Sequence, residues 1–155
     1  MTREQIKDYS IKVTQASATR LVQLTLEIAS SYLKDAQDNQ DDVSVFRYNI
    51  KKSRAFIAHL ISSLNMEYPI SRELFNIYSY LNTELQKADI RADAVLLPRL
   101  RGIIDTLSEA FAEICEEDRG GMVMENTQKV YAGLTYSKGS LNESIYDDNS
   151  RGFTV

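Results

Sequence analysis

The chain has 155 residues, 43% hydrophobic and 26% charged, with two prolines, no tryptophan and one cysteine. That is one domain's worth of chain, able to bury roughly two-thirds of its unfolded surface without staples. The formal net charge of -4 argues against a sequence-independent nucleic-acid binder or an anionic-membrane binder, because both need clustered Lys and Arg to displace counterions. No apolar run approaches the ~20 residues of a membrane span, and the polar start MTREQIKDYS lacks the apolar stretch of a signal peptide. Cys115 stands alone and cannot form an intramolecular disulfide, so the expected compartment is the cytoplasm.

Residues 1–16 are too few for a core of their own and read as a short, mobile N-terminal arm that docks on the rest of the chain or on a partner. Its apolar Ile6, Tyr9, Ile11 and Val13 are unexplained by a solvated terminus, which makes them candidate partner-binding residues. From Ser17, a candidate N-cap, Leu21, Leu24, Ile28, Tyr32 and Ala36 recur at helical spacing. The acids and amides of residues 35–42 then read as a solvated loop; they lack the glycine and terminal Glu of a calcium-binding EF-hand loop. A second helix begins near Asp42 and carries Phe46, Ile50, Ile57, Leu60, Ile61 and Leu64, with Asn65 and Pro69 bracketing its end. The third carries Leu74, Ile77, Tyr78, Leu81, Leu85 and Ala88. The fourth carries Leu96, Leu100, Ile103, Ile104, Leu107, Phe111 and Ile114, and Gly120 and Gly121 close it. Pro98 either occupies its first turn or bends it.

Four helices of about 18 to 24 residues joined by short connectors predict an all-α, antiparallel up-down four-helix bundle. Its domain spans residues 1–118, and residues 119–155, where five of the six glycines fall, read as a flexible C-terminal tail.

Little in the pattern carries chemistry. A di-iron bundle needs inward Glu residues and Glu-x-x-His pairs, whereas the single histidine, His59, has Phe56 three residues before it. Cys115 follows Ile114 on an apolar helix end, with no glycine-rich elbow, and reads as a packed thiol. His59 invites comparison with histidine phosphotransfer domains, also four-helix bundles, but these follow the histidine with Lys and Gly three and four residues on. Here Ser62 and Ser63 stand there. No cofactor is expected. Nine tyrosines are the more suggestive enrichment. Tyr78 lies in line with Leu74, Leu81 and Leu85 and should be structural. Tyr80 points about 200° away and, with Tyr48, is a candidate partner contact.

The order and spacing of several segments resemble the FliS family of flagellin-export chaperones. IYSYLNTELQKAD at residues 77–89 is similar to that family's third-helix pattern, with Tyr78, Tyr80, Leu85 and Ala88 at matching positions. FIAHLISSLNME at 56–67 resembles its second-helix ending, TQAS at 14–17 the start of its first helix, and Ile6 with Tyr9 an N-terminal Ile-x-x-Tyr pair. The likeness covers roughly residues 6 to 116 and leaves the tail without a counterpart. Leu26, Ala18 and Phe111 depart from the Tyr, Pro and Trp frequent in the family but preserve an apolar face. The resemblance implies a cytoplasmic chaperone, not an enzyme. It would bind the disordered C-terminal segment of flagellin, prevent premature polymerisation and deliver it to the FlhA component of the type III export gate, with Ile6 and Tyr9 serving that last step. The non-enzyme alternative is a structural helical bundle, a homo-oligomer whose apolar residues form only its own core or a homodimer seam.

Overall fold

A computed structural model describes residues 1–120, with side chains described through residue 117. Among these residues there are five helices and no strand: α1 (Arg3–Thr14), α2 (Ala18–Asp38), α3 (Val43–Ser63), α4 (Pro69–Arg91) and α5 (Leu97–Gly120). The all-α expectation holds, and α2 to α5 supply the four long helices. The structure adds a fifth helix to the expected four: most of the N-terminal arm, residues 1–16, is the helix α1. Thr2 and Gln5 form a reciprocal capping box at its start, and Lys12 pairs with Asp8 one turn earlier at 2.7 Å. These local contacts satisfy orphan backbone donors and make a helix without a buried face. The flexible tail expected at residues 119–155 lies almost wholly outside the described residues.

The other caps follow the sequence. Ser17 accepts from the Arg20 amide at 3.3 Å, and Asp42 accepts from the Ser44 and Val45 amides at 2.9 and 3.1 Å. Pro69 is the first residue of α4 and Pro98 the second of α5, where a missing amide costs nothing, so the alternative of a bend does not arise. Arg47 of α3 donates to the carbonyls of Asp89 and Ile90 at 3.1 and 3.3 Å, tying the start of α3 to the end of α4. That end is closed by Ala92 in the left-handed region, at φ 52°, a conformation that carries a steric cost for any residue with a Cβ.

Helix α2 is the centre of the molecule. It packs along α3 on one side and α5 on the other, α3 packs on α4, and α4 and α5 touch only lightly; α1 lies outside, against α2. Ser53 of α3 donates to the Ala29 carbonyl of α2 at 2.9 Å in the interior, two small residues that let the helices approach. The core runs through Leu26, Leu33, Phe46, Ile50, Ile57, Tyr78, Leu81, Leu85, Leu97 and Ile104, all essentially sealed from water. Two details of the expected stripes are corrected. In α2, Leu21 is exposed and Val22, Leu26 and Leu33 are buried beside the anticipated Leu24, Ile28 and Tyr32, because neighbours on several sides bury more than one stripe. In α5 it is Leu97, not Leu96, that is buried. No described helix is long and apolar enough to cross a membrane.

Candidate functional site: the cleft beneath the N-terminal helix

Helix α1 contributes no buried residue, yet it covers something. Tyr9 sets its inner face, and positions three before and four after fall within about 60° of it. Ile6, Tyr9 and Val13 therefore share that face. With Met1 and Ser10 they form one wall of a cleft of about 320 Å³ whose other wall is Ile28 and Tyr32 of α2 and Phe56 of α3. The Tyr32 and Phe56 rings stack at 5.9 Å with 20° between their planes. At the head of the helix the Met1 amino group pairs with the Asp35 carboxylate of α2.

Tyr9 also borders a second, polar cleft of about 420 Å³ toward α5, where Glu27, Lys34, Arg101 and Asp105 converge. There Arg101 donates to Ser30 Oγ at 3.3 Å and pairs with Asp105 at 3.6 Å. The two clefts give Tyr9 an apolar flank and a polar one. Burial, and then the neighbouring Glu27 carboxylate, push its phenol above the ordinary tyrosine range. Tyr32 is shifted the same way, by burial first and then by Tyr48 and Asp35.

Of the residues singled out in the sequence, the fold gathers Ile6, Tyr9 and Val13 over the cleft. Tyr48, on α3, is 56% exposed with Lys52 Nζ 5.5 Å from its ring, and is not among the residues that line the cleft. Ile11, about 200° from Tyr9 on α1, is 53% exposed and does not join the others. Tyr80 is exposed on α4 and is not among the residues that line the cleft, while Tyr78 is sealed in the core as its phase requires. Ile28, Tyr32 and Phe56, which form the cleft floor, read in the sequence as helix-stripe or family-segment residues. The available signal was Phe56, one position off the Ile50, Ile57, Leu60 stripe and so on the flank of α3.

His59 lies exposed on α3, and the Ser62 and Ser63 hydroxyls that might have faced a phosphate donate back to the His59 and Leu60 carbonyls at 2.8 and 2.9 Å. Cys115 is a buried thiol near the end of α5. Among the described residues no cluster of His, Cys, Asp and Glu could hold a metal ion.

No match is found among curated proteins. The sequence profile of the family described as Flagellar protein FliS matches residues 2–118, which take in α1 to α5 almost to the end. The chain belongs to the FliS family, a family of flagellar export chaperones.

Proposed function

We propose that this protein binds the disordered C-terminal segment of flagellin, holds it from premature polymerisation in the cytoplasm and delivers it to the FlhA component of the export gate. The observation that carries the reading is α1: a locally stabilised helix, with no buried residue, resting on an apolar floor of Ile28, Tyr32 and Phe56. A cover held this lightly can be exchanged for an amphipathic segment with a larger apolar face. An unfolded segment that orders on binding offsets its entropy cost by burying such surface.

The same geometry suggests an order of events. Ile6 and Tyr9 face the cleft while α1 is docked and become available when the incoming segment takes the floor. Gate recognition through these two residues then reports a loaded chaperone. Tyr48, exposed on α3, is assigned to the flagellin segment. Ile11 and Tyr80, exposed but apart from the cleft, are assigned to outer contacts with the segment or the gate.

Calorimetry with intact flagellin and with flagellin lacking its C-terminal segment tests the proposal. Binding to the first with a negative heat-capacity change, and none to the second, is the expected result. Equal binding to both, or none to either, overturns it.

A further inference from the structure

Helix α1 occupies the groove over α2, and its two flanks meet different walls. Ile6, Ser10 and Val13 border the apolar cleft floored by Ile28, Tyr32 and Phe56. Gln5 borders the polar cleft toward α5, and Tyr9 borders both. The groove therefore has an apolar lane on the side of α3 and a polar lane on the side of α5. Successive residues turn a helix by about 100°. With Gln5 as origin, Tyr9 lies at about 40°, Val13 at about 80°, Ile6 at about 100° and Ser10 at about 140°. The residue after a polar-lane position thus enters the apolar lane, as Ile6 does after Gln5. A helix laid the other way round in the same groove would need the reverse order, apolar first and polar second.

Lys34 and Arg101 share the polar lane with Glu27, Asp105 and Glu109, and Arg101 already pairs with Asp105. A charged side chain entering it meets a like charge as well as an opposite one, whereas an amide or hydroxyl both donates and accepts. Helix α1 places Gln5 and the Tyr9 phenol there. Direction has its own marker. The Asp35 carboxylate stands where the N-terminal end of α1 docks, and a carboxylate favours the positive, N-terminal end of a helix. Resting on the flagellin reading, we infer that the stretch of flagellin that replaces α1 is a helix lying in the direction of α1, antiparallel to α2. It carries an amide or hydroxyl side chain at positions i and i+4 and apolar side chains at i+1 and i+8, the spacing of Gln5, Tyr9, Ile6 and Val13. The α5 side of the groove then sets specificity, by rejecting segments that are merely apolar, and the α3 side supplies the buried surface.

Methyl spectra of the full chain saturated with the flagellin C-terminal segment test it. Contacts to the Ile28 methyls first locate the docked stretch of the segment. A nitroxide placed just before that stretch should broaden the Ala36 methyl, beside Asp35, more than the Val22 methyls, roughly 21 Å away along α2. A nitroxide just after it should do the opposite, and the swapped pattern overturns the direction. Replacing the amide or hydroxyl side chains at i and i+4 of the stretch by Leu should weaken binding about fivefold or more, because the polar lane is left without partners. These changes are made in the segment, so they leave the docking of α1 untouched. Unchanged or tighter binding overturns the polar lane as a specificity element, as does a docked stretch with no amide or hydroxyl at those positions. Binding without contact to Ile28 overturns the inference and leaves the flagellin reading standing. A segment that does not bind at all removes that reading and the inference together.

Discussion

Helices α1 and α2 are neighbours in sequence, both opened by hydroxyl caps, and differ in almost everything else. Helix α2 is gripped by α3, α5 and α1 and buries residues on most of its circumference. Helix α1 buries none and rests on its capping box, the Asp8–Lys12 pair and a shallow apolar contact. The contrast separates two sources of helical order. Packing fixes α2, and local propensity with end contacts fixes α1, which leaves α1 cheap to move.

Core truncation should expose that contrast most strongly. Tyr78→Ala or Leu33→Ala, each removing a fully buried side chain, should cost on the order of 3 kcal/mol or more in denaturant melts. Deleting residues 1–16 should cost less than about 1 kcal/mol, because no core side chain leaves. An equal loss from the deletion would make α1 part of the core and remove the basis for exchange. The same deletion should raise affinity for the flagellin segment several-fold in a binding titration, since a competitor for the cleft is gone; unchanged affinity would reject self-capping.

Tyr80→Ala provides a complementary reading on the outside of the bundle. Thermal melts should stay close to the parent while flagellin or gate binding weakens by ~1 to 2 kcal/mol. A large drop in Tm with unchanged binding would reverse the assignment. Thr2→Ala should then act on α1 alone: loss of the cap costs about 1 kcal/mol of helix stability, visible as faster amide exchange in residues 3–14 with no change in the core.

The smallest effect is expected from pH. The docked Tyr9 and Tyr32 phenols are raised above their ordinary value of 10.0, so docking favours the neutral forms. Their contribution is full below that value and is lost as pH rises through the raised values. Phenolate absorbance should therefore develop late in the full chain, and Tyr32 should ionise earlier once residues 1–16 are removed. Identical titration of Tyr32 in both would mean α1 does not shield it.

The parts of the fold legible in the sequence are those with a single apolar face. Helix α4 shows one stripe, so Tyr78 and Tyr80 were assigned to inside and outside from phase alone, and the structure places them so. Helix α2 resisted the same reading because a helix packed on several sides carries more than one stripe. The choice of Leu21 over Val22 could not be corrected without knowing its neighbours. At the start of α5 two adjacent leucines offered no phase, and the turn at Ala92 to Leu96 decided for Leu97. Helix α1 was missed although Ile6, Tyr9 and Val13 share one face, because Ile11 falls about 200° from Tyr9 and breaks the stripe; Thr2, Gln5, Asp8 and Lys12 added further helical signal. The candidate site was half visible. Its lid was singled out residue by residue, while its floor was absorbed into the expected core, since a side chain at the edge of a stripe looks the same in sequence whether it meets a permanent neighbour or a removable one.

The most direct test of the exchangeable cover is a measurement of contacts across the cleft before and after loading. In the free protein, nuclear Overhauser contacts should join the Tyr9 ring to the Ile28 methyls and the Tyr32 ring, as the shared cleft requires. With the flagellin C-terminal segment bound, those contacts should vanish and Ile28 and Tyr32 should instead contact the segment. Persistence of the Tyr9 contacts in the saturated complex would contradict displacement of α1 and move the flagellin site elsewhere on the bundle.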